Sequence, residues 1–197
     1  MNNENSSQQS SAAAQRREQL DALLSHAQAC AQDVLHEHGQ LCPTLCALHE
    51  GGLGVYIANS AEEAETDTHA EDLRLICSAL GATVAVLALQ VWARVVKREE
   101  PLGFHPYPSP FSDRKEFISL LGSAIGGIDA HRLLPVLRAR DGRYSGLGAS
   151  KLMSTNPVVG RYANLLPQTP PTAQDRELSR RLLDSRGLAI HEGPLPE

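Results

Sequence analysis

Ala82-Thr83-Val84-Ala85-Val86-Leu87-Ala88-Leu89-Gln90-Val91-Trp92-Ala93-Arg94-Val95-Val96 is the stretch on which the fold turns. Its first part, Ala82 to Leu89, is apolar on both faces, as in a central strand covered from both sides. From Gln90 the pattern alternates. Val91, Ala93 and Val95 share one face; Trp92, Arg94 and Val96 share the other. The strand is therefore expected to leave the core toward an edge. The uncharged run from Ser78 to Ala93 contains Gly81, Thr83 and Gln90. It is shorter than the roughly 20 predominantly apolar residues of a bilayer span. A buried strand is the better reading.

Upstream, Leu73, Ile76, Cys77 and Leu80 recur at helical spacing, with Gly81 as terminator and Thr68/Glu71 as a capping-box pattern. An acidic loop, Ala61 to Asp67, precedes this helix. Before it, Thr44–Leu48 and Gly54–Ala58 flank Gly51-Gly52 and read as a hairpin. Leu20, Leu23, Leu24, Ala27, Ala31, Val34 and Leu35 give a first amphipathic helix, closed at His38-Gly39. Residues 1–14 form a Ser/Gln/Asn/Ala tract with too little apolar surface to offset ordering. They are expected to be a disordered arm, and they show no secretory signal.

Downstream, residues 97–113 carry four prolines and read as a long irregular loop, a kind that is often functional. Lys115–Ser123 resumes a strand pattern, and Gly126-Gly127 turns the chain. His131–Arg140 and Arg143–Gly148 then flank Asp141-Gly142, a strong hairpin signal. Pro135 within the first of these predicts an edge or a bulge. Thr172 and Asp175 start a last helix carrying Leu178, Leu182 and Leu183 and running to Arg186. The order α-β-β-α-β-β-β-β-α predicts an α+β fold, an antiparallel sheet of five to six strands with helices packed on it. Residues 15–187 form the single domain of this reading, and 188–197 a loose tail. In element order it resembles the profilin, roadblock and longin group, an analogy that does not fix function.

Composition narrows the partners. The chain has 197 residues, net charge −5, 42% hydrophobic and only 4% aromatic residues. Aliphatic residues must therefore build the core. No general attraction to phosphate backbones or anionic lipid is expected, so neither nucleic acid nor a membrane is the expected partner. The mixed face of the last helix fits that view. Arg176, Arg180, Arg181 and Arg186 are interleaved there with Asp175, Glu177 and Asp184, as on an exposed helix. Without an export signal, Cys30, Cys42, Cys46 and Cys77 are expected as free thiols in a cytoplasmic protein.

Four constellations invite chemistry. Cys42 and Cys46 with His36, His38 and His49 suggest a metal, but four residues of strand span roughly 13 Å, too far for two thiolates on one zinc. No metal and no cofactor is expected. Asp129 and His131 offer an acid/base pair with Ser123 as a nucleophile, yet no G-x-S-x-G elbow surrounds any serine and Asp129 suits a turn. Gly142-Arg143-Tyr144-Ser145-Gly146-Leu147-Gly148-Ala149-Ser150-Lys151 looks like a phosphate loop without the G-x-x-x-x-G-K-[ST] spacing. Its glycines better suit a hairpin or bulge. Trp92 is either a core residue or an interface anchor. In the second case Arg94, Phe104, Tyr107, Arg161 and Tyr162 join it through the proline-rich loops.

The segments Pro108-Ser109-Pro110 to Arg114-Lys115-Glu116 and Gly160-Arg161-Tyr162-Ala163-Asn164-Leu165-Leu166-Pro167 are similar to those of a group of uncharacterised bacterial and phage-borne proteins. The resemblance covers roughly residues 20–167 and implies a shared layout and a mobile-element origin, but no reaction. Where those chains often carry an acid before the tryptophan, this one has Gln90-Val91-Trp92. The favoured functional reading is a non-enzymatic protein-binding or assembly module, expected to be a homodimer through sheet edges or the Trp92 region. The alternative is a small-molecule or nucleotide-handling enzyme using Asp129, His131, Gly146, Gly148 and Lys151.

Overall fold

The computed structural model describes residues 3–58, 67–93, 114–153 and 162–188. Along the chain run α1 (Asn3–His38), β1 (Thr44–His49), β2 (Gly52–Ile57), α2 (Asp67–Leu80) and β3 (Val84–Ala93). They are followed by β4 (Lys115–Ala124), β5 (Ile128–Arg138), β6 (Tyr144–Leu147), β7 (Lys151–Met153) and α3 (Ala173–Ser185). The fold is α+β in the expected order, with the short β7 added. One antiparallel sheet has the strand order β2-β1-β3-β4-β5-β6, and β7 also pairs with β5.

β3 is central, between β1 and β4. Its two faces serve two cores, which is why Val84 to Leu89 are all buried. Val84, Val86 and Ala88 lie with Ile118, Leu120 and Leu134 beneath Leu20, Leu24, Ala31 and Leu35 of α1. Ala85, Leu87 and Leu89 lie with Leu45, Leu121 and Ile125 against Leu73, Ile76 and Cys77 of α2 and Leu183 of α3. The sheet is thus sandwiched between one helix and two. As expected, β3 leaves the core from Gln90 onward, becoming an edge on its β1 side only. β4 accompanies it to the Ala93↔Lys115 pair, whereas its pairing with β1 stops at Ala88. Trp92 lies past that point and is 62% exposed, so it is not a core residue.

α1 begins at Asn3, so residues 3–14 of the tract expected as a disordered arm are helical here. Ala and Gln are good helix formers, and lengthening an existing helix avoids the cost of a new nucleus. Tertiary anchoring starts later. Arg16 reaches the Ile125 carbonyl at 3.4 Å, and Leu20 is the first buried residue among the described side chains. Deleting residues 1–14 should therefore move the melting temperature by less than about 2 °C, the shift expected for well under 1 kcal/mol. A larger loss, read by calorimetry, would show that this tract supports the fold.

Pro135 shapes the far side of the sheet. The Gly148 N–H donates to the Pro135 carbonyl at 2.7 Å. In an antiparallel ladder a residue's N–H and C=O point the same way, so the amide proton that proline lacks is missing on this side. The strand partnering β5 is interrupted there. β6 pairs with Val136–Arg138 and β7 with His131–Leu133, with Gly148-Ala149-Ser150 between. A Cβ on Gly148 would lie 3.2 Å from the proline ring. Pro135 thus marks neither an edge nor a bulge but a break between the strands that pair with β5, whose register irregularity lies at Leu137/Arg138.

At α3, Thr172 and Asp175 form a full capping box. The Thr172 side chain and backbone hold the Asp175 carboxyl below its usual range. α2 starts at Asp67, so Thr68 is already helical rather than its cap. Among the described residues no helix is long and apolar enough to cross a membrane. Burial pushes the Cys46 thiol up to about 11, with Cys30 adding to it, and the Cys77 thiol up to about 12. Both are protonated at neutral pH and pack as small apolar groups.

Candidate functional site

Among the described residues five polar ones are buried: His69, Glu116, Ser119, Ser123 and Ser179. Each has a polar partner, and the partners define the possible chemistry.

Ser119 and Ser123 project from β4 toward the α2/α3 side, as do Asp129 and His131 from β5. The register Leu121↔His131 and Ser123↔Asp129 brings them together. Ser123 Oγ donates to Asp129 Oδ1 at 2.8 Å. Ser119 Oγ lies 2.9 Å from His131 Nε2. Sequence reasoning found Asp129, His131 and Ser123, but the structure makes Ser119 the partner of the histidine. The available signal was Ser119 and Ser123 on one face of a strand that the Gly126-Gly127 turn folds onto Asp129 and His131.

A hydroxyl beside an imidazole is half of a nucleophilic pair. Here the remaining parts point elsewhere. In a triad the acid orients the far ring nitrogen, whereas Asp129 is engaged by Ser123. Ser119 sits in mid-strand, and β4 is paired on both sides, so its backbone N–H groups serve the ladder rather than an oxyanion. Burial lowers the His131 pKa, favouring the neutral ring. The folded state then binds fewer protons than the unfolded chain, so this contribution to stability is present above the ordinary histidine value of about 6.5 and is lost as pH falls below it through the lowered value of the folded state. Urea titrations at neutral pH and near pH 5 should show a pH-dependent loss that is smaller in His131→Gln. An identical loss would assign it to other groups.

The glycines of this hairpin lie away from the pair, whereas Lys151 on β7 pairs only two positions along β5 from His131. Gly146 pairs with Leu137, Gly148 bonds Pro135, and Lys151 pairs with Leu133. Gly146 thus lies six positions along β5 from His131, roughly 20 Å at 3.3 Å per residue. A strand follows the glycines where a phosphate loop needs a helix.

The proposed interaction set is divided as well. Trp92 has the parity of Val86 and Ala88, on the α1 side. Tyr162 packs on the α2 side, its hydroxyl 3.3 Å from His69 Nδ1 and its ring edge-on to the imidazole. The two aromatics are on opposite faces of the sheet. Arg94, Phe104, Tyr107 and Arg161 lie outside the described residues.

A second polar network was not anticipated. The Arg138 guanidinium grips Glu116 with two hydrogen bonds of 2.6 Å. It also donates to the carbonyls of Gly39 (2.9 Å) and Gly142 (3.2 Å). Gln90 donates to the same carboxylate and accepts from the Leu41 N–H at 2.6 Å. Gln90 thus bridges the backbone at Leu41, ahead of β1, and the Glu116 side chain on β4.

Two surface features remain. A cleft of about 670 Å³ between α2 and α3 is floored by Leu75, Leu165 and Leu166, with Arg74 and Arg186 at its rim. Both cations are engaged, Arg74 with the Ala163 carbonyl and Arg186 with Asp72 and Glu71. On the opposite side of the molecule's sheet, β2 carries Leu53, Val55 and Ile57, which are 44%, 49% and 58% exposed. β2 ends the strand order, and the segment Gly52–Ile57 has neither a charge nor a proline. Among the described residues no group of three His, Cys, Asp or Glu is placed to hold a metal. No family model, curated protein or solved structure matches the chain.

Proposed function

We propose that the protein is a non-enzymatic binding or assembly module that works through contact with another polypeptide. The observation that carries this reading is β2, an outermost strand with three exposed aliphatic side chains and none of the charges or prolines that usually blunt an edge. Strand addition to such an edge is a recurrent recognition mode, with main-chain hydrogen bonds giving affinity and alternate side chains giving specificity. The enzymatic alternative is supported by the Ser119–His131 contact alone.

Val55→Lys and His131→Gln separate the two readings. Capture of a polypeptide by the tagged protein, second copies included, should be lost with Val55→Lys and kept with His131→Gln. The reverse pattern, with loss of a serine-directed covalent label in Ser119→Ala, would favour the enzyme. Val55 is half-exposed, so the substitution should leave the melting temperature close to that of the wild type.

A further inference from the structure

We infer that the occupant of the β2 edge is a second copy of this chain, paired antiparallel across a two-fold axis at Val55. The inference rests on the assembly reading and identifies its partner. The Ala58 N–H donates to the Pro43 carbonyl, so Ala58 faces β1. Backbone groups alternate along an antiparallel strand, so Tyr56 and Gly54 also face β1 while Ile57, Val55 and Leu53 point theirs away from the sheet. The outward N–H and C=O groups therefore belong to the residues whose side chains are exposed.

That coincidence makes the edge self-complementary. With Val55 on the axis, Val55 faces its symmetry mate and Leu53 faces Ile57 of the other copy. All three facing pairs are of the hydrogen-bonded kind, so every outward amide and carbonyl of the three residues finds a partner in one register. A one-residue slip would set outward groups against groups already committed to β1 and turn the apolar side chains to the wrong face. On the shared face each pair is aliphatic, and no charge on β2 opposes the approach. α1 lies over β3, β4 and β6 and reaches β1 only slightly, so among the described residues no helix covers this strip of β2. A two-fold repeat of this kind closes on itself, as most soluble oligomers do. The two sheets become one continuous sheet through the pair β2–β2.

Light scattering of the full chain at tens of micromolar should give twice the 21.3 kDa chain mass. Val55→Lys sets two like charges across the axis and should weaken the dimer at least about 100-fold, since like-charge juxtaposition costs several kcal/mol. Hydrogen-bonded strand pairs place Cα atoms about 5.5 Å apart, within the reach of a disulfide. Mild oxidation should therefore cross-link Val55→Cys to itself and Leu53→Cys to Ile57→Cys. Leu53→Cys alone and the wild type should stay uncross-linked. A wild-type mass of one chain overturns the inference. So does a dimer that Val55→Lys leaves intact, which would place the contact elsewhere, Trp92 included. If the wild type is monomeric but captures another polypeptide through an intact β2, only the identity of the partner fails. If β2 variants alter no association at all, the assembly reading fails with it.

Discussion

Replacing Arg138 with methionine is expected to lower the unfolding free energy by up to about 3–5 kcal/mol, the cost of leaving a buried carboxylate without its cation, since Glu116 is buried although Arg138 is partly exposed. The Glu116 side chain is 5% exposed, and both of its oxygens are held by the guanidinium. Without it a carboxylate is left among apolar neighbours, with only Gln90 donating to it. Arg138 also holds the Gly39 carbonyl just past α1 and the Gly142 carbonyl of the β5–β6 turn, so the loss spreads to three connections. For a chain of this size the drop corresponds to roughly 6–20 °C in melting temperature. Replacing both charges should restore much of the loss. Glu116→Leu with Arg138→Met removes the uncompensated charge, and the residual deficit is about 1–3 kcal/mol for the Gln90 donor left without its acceptor. Thermal melts of the two single variants and the double variant decide this. Additive losses would show that the pair is not coupled.

What the sequence made legible, and what it hid, divides along one physical line. Signals carried by neighbouring residues were readable. The doubly apolar run at β3, Asp141-Gly142 between two strands and Thr172 with Asp175 each state their structure within a few positions. Features set by strand register were not. Trp92 shows the same alternation whether or not a strand lies beside it, and its exposure follows from β1 ending its pairing at Ala88. Glu116 beside Lys115 reads as a surface charge, because its partner Arg138 lies 22 residues away and is brought near only by the β4–β5 ladder. The same ladder selects Ser119 over Ser123 for His131. β2 reads as an ordinary hairpin arm, and its character as an outermost strand depends on β3 taking the other side of β1. Both candidate surfaces were thus half visible, as residue types without neighbours.

The second large effect is expected where α1 meets the sheet, and it comes from a glycine chosen for the absence of a side chain. Gly122 lies on β4 beneath the helix. A Cβ there would fall 2.8 Å from Leu20 Cδ1 and 3.4 Å from Leu24 Cδ2. Both leucines are buried, Leu24 completely. Leu20→Ala should cost about 2–5 kcal/mol, the lost transfer energy plus a cavity that the rigid sheet cannot collapse. Gly122→Val adds bulk at the same contact and should cost about 1–3 kcal/mol by overpacking, in addition to whatever shift α1 makes. The two substitutions are complementary in volume, since the valine methyls occupy the space that Leu20 vacates. The double variant should therefore be more stable than the sum of the single losses allows, with a coupling of about 0.5–3 kcal/mol. Denaturant melts with equal slopes would give that coupling directly. Strict additivity would mean that the closeness of α1 to β4 is fixed elsewhere along the helix, and that Gly122 only tolerates it.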